Sequence, residues 1–265
     1  MNDCTIRLVL IALIGCGCLP AFSTRAQTST NSFKDYLLVP LKFHLLAAKD
    51  SPTIQTTLTE TDFERILAKI NRVWSQAGLH FFVEAIGREE VNAPEKWADP
   101  GLSPEGLELL ELRPRRSLAT NAFNIYYIKK MSVNGIYFPE GIFVKDTASL
   151  RPVEGGIDEP LPRVTSHELG HALGLSHRQN TTNLMASGTT GIWLNEEEIN
   201  QVRKIARQRD WIVSAPELLS RADAFFREGK FTEAKIFYSS LATLSLKAEE
   251  VELAKKRLAE LTHPR

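Results

Sequence analysis

The chain has 265 residues, 43% of them hydrophobic and 24% charged, which suits a globular protein of one or two domains. Its formal net charge is zero, so there is no electrostatic case for nucleic acid or an anionic membrane as partner.

At the N-terminus Arg7 precedes an apolar run over residues 8–18, then Pro20 and small residues up to Ala26. The run is too short to span a bilayer as a helix. It reads as a secretory signal over residues 1–26, cut after Ala26 with Thr24 and Ala26 as the small recognition residues. The alternative is Leu13-Ile14-Gly15-Cys16, which resembles a bacterial lipoprotein box with a lipid anchor at Cys16. Either way the expected location is secreted or periplasmic, with no transmembrane segment in the mature chain. All three cysteines, Cys4, Cys16 and Cys18, fall in this segment. A mature chain without them relies on its core and a bound metal rather than on disulfides.

Residues 27–34 are rich in Ser and Thr and are expected to be disordered. Residues 35–46 read as a first strand, carrying His44 as a sheet or core histidine. Residues 59–77 form a helix. Thr59 or Thr61 could cap it, and Phe63, Ile66, Leu67, Ile70, Val73 and Trp74 recur at helical spacing; Gly78 ends it. A second strand covers 79–86, with His80 in the same bland role as His44. Residues 87–120 have no clear period and read as an insertion covering the sheet, with a short helix near 103–112. A third strand follows at 122–128. Two short strands, 135–138 and 141–145, flank the turn Pro139-Glu140-Gly141, and 146–161 is a loop.

Next comes His167-Glu168-Leu169-Gly170-His171-Ala172-Leu173-Gly174-Leu175-Ser176-His177, which holds three of the six histidines. On a helix, i and i+4 share a face, so His167 and His171 point the same way. Glu168 sits beside the first of them, where it can reach a water at a metal. Gly174 can take a positive φ, end the helix and return the chain with His177 as a third nitrogen ligand. Three histidines with an open fourth position describe a catalytic zinc site rather than a closed structural one. Zinc there would supply hydroxide near neutral pH, with Glu168 as the general base.

This stretch resembles the long motif of the metzincin zinc endopeptidases at all five of its positions. The family also has a methionine turn beneath the zinc, and Asn183-Leu184-Met185-Ala186 fits it with Met185 in that role. Arg178, after the third histidine, is not the residue of the matrixin, astacin, serralysin or adamalysin branches; matrixin-like is the nearest. Ser187 stands where some branches place a tyrosine, so no further ligand is expected there. The resemblance implies an α+β fold: a mixed five-stranded sheet over an active-site helix, then a methionine turn and a closing helix. It implies a peptide or protein substrate paired along an edge strand within 135–145. It also implies a pocket beside 188–194 for the residue after the cut, walled by Ile192 and Trp193. The acids Asp146, Glu154, Asp158 and Glu159 offer a structural calcium site, as in loops of similar enzymes; the alternative is a solvated acidic loop. A mature chain cut after Ala26 has no cysteine, so it cannot use the thiol switch that keeps some metzincin proenzymes latent.

Asn195 caps a helix to about residue 207, with Glu198 at the capping-box position. Residues 211–216 read as a linker between a peptidase domain over 35–210 and a small all-α segment over 216–262. In that segment Ala222, Phe225, Gly229, Phe231, Ala234 and Tyr238 fit a tetratricopeptide-like helical pair, the alternative being a plain helical hairpin. A protein partner would bind through these C-terminal helices. Two rival readings accompany the endopeptidase: a degenerate, non-proteolytic protein-binding module, and a zinc hydrolase acting on another amide.

Overall fold

A computed structural model describes residues 33, 35–49, 51–99, 103–114, 118–244 and 248–262. The signal segment expected at 1–26, and with it the lipidation alternative at Cys16, lies outside them. The fold is α+β. In chain order it runs β1 (Leu37–Ala47), α1 (Asp62–Trp74), β2 (Leu79–Glu90), α2 (Glu108–Glu111), β3 (Phe123–Ile128), β4 (Gly135–Phe138) and β5 (Gly141–Lys145). Then follow α3 (Pro160–Ala172), α4 (Glu196–Arg207), β6 (Val213–Ser214), α5 (Ala215–Arg227), α6 (Phe231–Ala242) and α7 (Glu249–Thr262).

The sheet has the order β2-β1-β3-β5-β4. Neighbours along it are parallel except β4, which runs antiparallel to β5 at one edge. The two-residue β6 pairs antiparallel with the start of β1, at Leu37 and Leu38, before β3 joins it at Leu41.

β1 is buried on both faces along nearly its whole length, the pattern of a strand covered on both sides. Leu37, Val39, Leu41, Phe43 and Leu45 enter the main core with α1 and with Val164, Leu169 and Ala172 of α3. On the opposite face Leu46 joins Trp97, Leu109 and Leu112 of the 87–120 segment, together with Tyr126, Ile128 and Phe143. That segment does cover the sheet, and the first part of it continues β2 to Glu90. His44 is fully buried on this side, stacked on Tyr126. Its Nε2–H donates to Asn124 Oδ1 at 3.0 Å and its Nδ1 lies 2.5 Å from Glu89 Oε2. It is a sheet histidine, remote in role from the zinc motif.

The other end of the same face carries the C-terminal helices. Leu38 and Phe82 are buried there against Val213, Leu218, Ala222, Ala234, Tyr238 and Leu241. The 211–216 stretch is therefore not a free linker. It contributes β6, and Ser214 with Glu217 forms the capping box that starts α5. Gly229, at φ +75°, turns α5 into α6. The Tyr238 hydroxyl donates to Asp223 Oδ1 at 2.5 Å, while Phe231 is 52% exposed. No helix among the described residues is long and apolar enough to cross a membrane.

His80 of β2 faces this interface. The Thr243 hydroxyl donates to the Ser240 carbonyl, so it accepts the His80 Nε2–H at 3.0 Å. Burial holds His80 down at about 4. Above about pH 6.5 the ring is neutral in folded and unfolded chains alike. As pH falls below that value the unfolded chain binds a proton that the folded one refuses, so stability drops until about pH 4. The loss approaches about 3 kcal/mol for a shift of this size. Denaturant titrations at pH 7 and pH 4.5 should show a smaller acid loss for His80→Gln than for the wild type. Equal losses would show that His80 is not a source of the acid sensitivity.

Candidate metal centre

α3 starts at Pro160, where a missing backbone N–H costs nothing because the first helical N–H groups have no partner in the helix. It stops by a Schellman closure. Leu175 N–H donates to Gly170 O and Gly174 N–H to His171 O, both at 2.9 Å, with Gly174 at φ +87°. This reversal brings His177 back onto the helix face that holds His167 and His171. The ligating nitrogens of the three rings lie within 4.8 Å of one another.

Two of the rings are held in the ligating tautomer. His167 Nδ1–H donates to Leu184 O and His171 Nδ1–H to Leu175 O, each at 2.8 Å. Each Nε2 is thereby left with a bare lone pair, the usual outer-shell arrangement of a metal-binding histidine. Burial holds His167 neutral down to about 3 and also lowers His171. His171 Nε2 and His177 Nε2 approach to 3.1 Å. Tetrahedral zinc with bonds of about 2.0–2.1 Å separates its nitrogens by about 3.3 Å, so the spacing of this pair fits the ion.

Glu168, 5% exposed, lies beside the triad without belonging to it. Burial pushes its carboxyl up to about 8, opposed by the Arg163 guanidinium; a cation held by the adjacent triad would pull it back down and favour the carboxylate form. Met185 packs under the helix, against Gly170. A Cβ at Gly170 would sit 2.5 Å from Met185 Sδ, so glycine is needed there for the sulfur to come so close. The turn is held by Asn183, whose Oδ1 accepts Met185 N–H at 2.7 Å. An Asn two residues before the methionine is the legible signal for such a side-chain closure.

A cavity of about 780 Å³ opens over His167, Glu168, His171 and His177. One wall is the 132–137 segment, including edge strand β4; Leu175 and Gly188 lie on its lining as well. Arg163, 2% exposed, also lines it. Sequence reading passed over this residue. Its Nε donates to Gly191 O at 3.1 Å and its Nη2 to Ala186 O, so it straps the loop after the methionine turn to α3.

Ile192 and Trp193 are not among the residues lining this cavity. Ile192 is buried, and its carbonyl accepts from Gln76 Nε2 at 2.8 Å. Trp193 is 40% exposed and backs the methionine turn: its carbonyl accepts from Leu184 N–H at 2.8 Å, and its N–H donates to Thr182 O at 3.0 Å. Three of the four acids proposed for calcium have other partners. Asp158 and Glu159 pair with Lys69, Glu159 also with Arg65, and Asp146 accepts from Thr56 and Thr57. Among the described residues the histidine triad is the one group of three or more His, Cys, Asp and Glu with the spacing to hold a metal.

No protein-family model matches the chain, and no curated protein matches it in sequence. Solved structures similar to it include a promirolysin mutant from Tannerella forsythia, at 11% identity and a TM-score of 0.43. That likeness covers 65% of this chain and 81% of the other. It is loose, and the site rests on its own geometry.

The same geometry explains a glycine on the cavity wall. A Cβ at Gly135 would lie 2.5 Å from Val164 Cγ1 and 2.7 Å from Glu168 Oε1. Gly135→Ala is therefore expected to displace the Glu168 carboxylate and lower turnover by at least about tenfold, since misplacing a reacting group by about 1 Å can cost about 10². Zinc content should not change. Turnover of any substrate the protein hydrolyses, measured beside zinc stoichiometry, checks this, and unaltered turnover would mean that the strand does not constrain Glu168.

Proposed function

We propose that the chain is a secreted zinc endopeptidase of the metzincin type. The observation that carries this reading is the convergence of three histidine nitrogens beside a non-ligating carboxylate, in a cavity walled by an open sheet edge. His167, His171 and His177 hold the ion. Zinc, when bound, supplies a Lewis acid for a carbonyl and lowers the pKa of water to about 7. Glu168 takes a proton from the attacking water and delivers it to the leaving amine nitrogen. β4 pairs through its free edge with an extended peptide and aligns the scissile bond over the triad. The methionine turn supports His167 through the Leu184 carbonyl.

Metal analysis of the purified protein, followed by digestion of a diverse peptide mixture with and without chelator, tests the reading. Zinc-dependent internal cleavage is expected. Zinc binding without cleavage would favour the non-proteolytic binding module, and cleavage confined to non-peptide amides would favour the other hydrolase.

His177→Ala is expected to lower zinc affinity and thermal stability together. The linked stability it forfeits is about 2.7 kcal/mol when free zinc stands at a hundred times Kd. An unchanged Kd by chelator competition would place the third ligand elsewhere.

A further inference from the structure

Glu198 lies on α4, outside the zinc motif, yet it is wholly buried. Its Oε1 accepts from Arg178 Nε at 2.7 Å. Its Oε2 accepts from Asn183 Nδ2 at 2.8 Å and from the Asn195 backbone N–H at 2.9 Å. Burying a carboxylate is costly unless it is paired and hydrogen-bonded, and this one is satisfied by three segments at once. Capping a helix does not require that burial. Glu217 completes the same capping box on α5 while exposed to solvent.

What the burial adds is a connection to the metal centre. Arg178 directly follows His177, and its backbone N–H donates to Met185 O at 3.0 Å. Asn183 is the residue whose Oδ1 closes the methionine turn. The turn presents the Leu184 carbonyl that orients His167. One carboxylate thus ties together the segment of the third ligand and the turn beneath the first. Arg178, which fits none of the branches compared above, acquires a partner by the same arrangement.

We infer that Glu198 is a positioning residue of the metal centre, acting on His177 through Arg178 and on His167 through Asn183 and the methionine turn. The inference rests on the zinc reading above. Losing such outer-shell partners commonly weakens metal affinity about ten- to a hundredfold.

The test is chelator competition for zinc, with the visible spectrum of the cobalt-substituted protein as a second readout. Glu198→Gln and Arg178→Gln are expected to raise the zinc Kd at least about tenfold and to shift the cobalt bands. Arg178→Lys, which keeps the charge, should recover part of the affinity. Asn195→Ala removes the cap acceptor and spares the Glu198 contacts to Arg178 and Asn183; it should lower the thermal midpoint with no change in Kd. Arg178 is half-exposed, so Arg178→Gln carries the test if Glu198→Gln fails to fold. The inference is overturned if Glu198→Gln and Arg178→Gln behave like Asn195→Ala, losing stability while binding zinc as the wild type does. A wild-type protein that binds no zinc would instead overturn the function on which the inference stands.

Discussion

Glu168→Gln is expected to keep its zinc and to lose at least about 10²-fold in peptide hydrolysis, toward 10⁴-fold if proton transfer dominates the barrier. That range is about 3–5 kcal/mol of transition-state stabilisation. Glu168 is adjacent to His167 in sequence but is not part of the nitrogen triad, so coordination does not depend on it. Gln has nearly the same volume, so the fit of the side chain beside Gly135 is preserved. The amide cannot accept a proton from water or return one to an amine. Zinc stoichiometry and single-turnover hydrolysis of one peptide, measured on the same preparations, separate the two roles. Wild-type turnover would remove Glu168 as the base, and loss of zinc would mean that the carboxylate supports the metal itself.

The grouping of the three histidines was legible because its constraints are local. An i, i+4 pair, a glycine that closes the helix and a methionine eight residues after the last histidine are set by chain geometry over short distances. β1 was legible for a related reason: Leu37, Leu38 and Val39 in succession mark a strand with both faces covered. The pocket wall was not legible. Whether Ile192 and Trp193 face the cavity or back the methionine turn is decided by main-chain bonds to Leu184 and Thr182 and by Gln76, which lies 116 residues before Ile192. The same holds for Glu198, whose capping role could be read from Asn195 three residues before it, while its bonds to Arg178 and Asn183 could not. In the 87–120 segment Trp97, Leu109 and Leu112 reach the sheet from short, irregular pieces, so no hydrophobic period announces them. The partners of Asp146, Asp158 and Glu159 in the 146–161 loop were not legible either, because Lys69, Arg65, Thr56 and Thr57 are distant in sequence.

A protein ending at Ser214 is expected to retain zinc and short-peptide turnover but to become far less stable and prone to aggregate. All four motif side chains and Met185 precede the cut, and they lie on α3 and the loops beyond it, packed against the opposite face of the sheet from α5–α7. Removing those helices uncovers Leu38, Phe82 and Val213, which are 0%, 2% and 3% exposed in the whole chain. Burial of one such side chain contributes about 1.5–3 kcal/mol, so the combined loss is on the order of 5 kcal/mol. Whole domains are stable by only about 5–15 kcal/mol, so that loss removes a large share of the margin. The uncovered surface is also a contiguous apolar patch, the kind that drives association. Adding Leu38→Thr and Phe82→Lys to the shortened protein should restore solubility without touching the metal centre. Zinc content, peptide turnover and sedimentation are then compared for the full chain, the shortened protein and its polar-faced version. If the polar-faced version is still unfolded or zinc-free, the helices are part of the catalytic fold, and the division into a peptidase unit over 35–210 and a helical unit over 216–262 has to be abandoned.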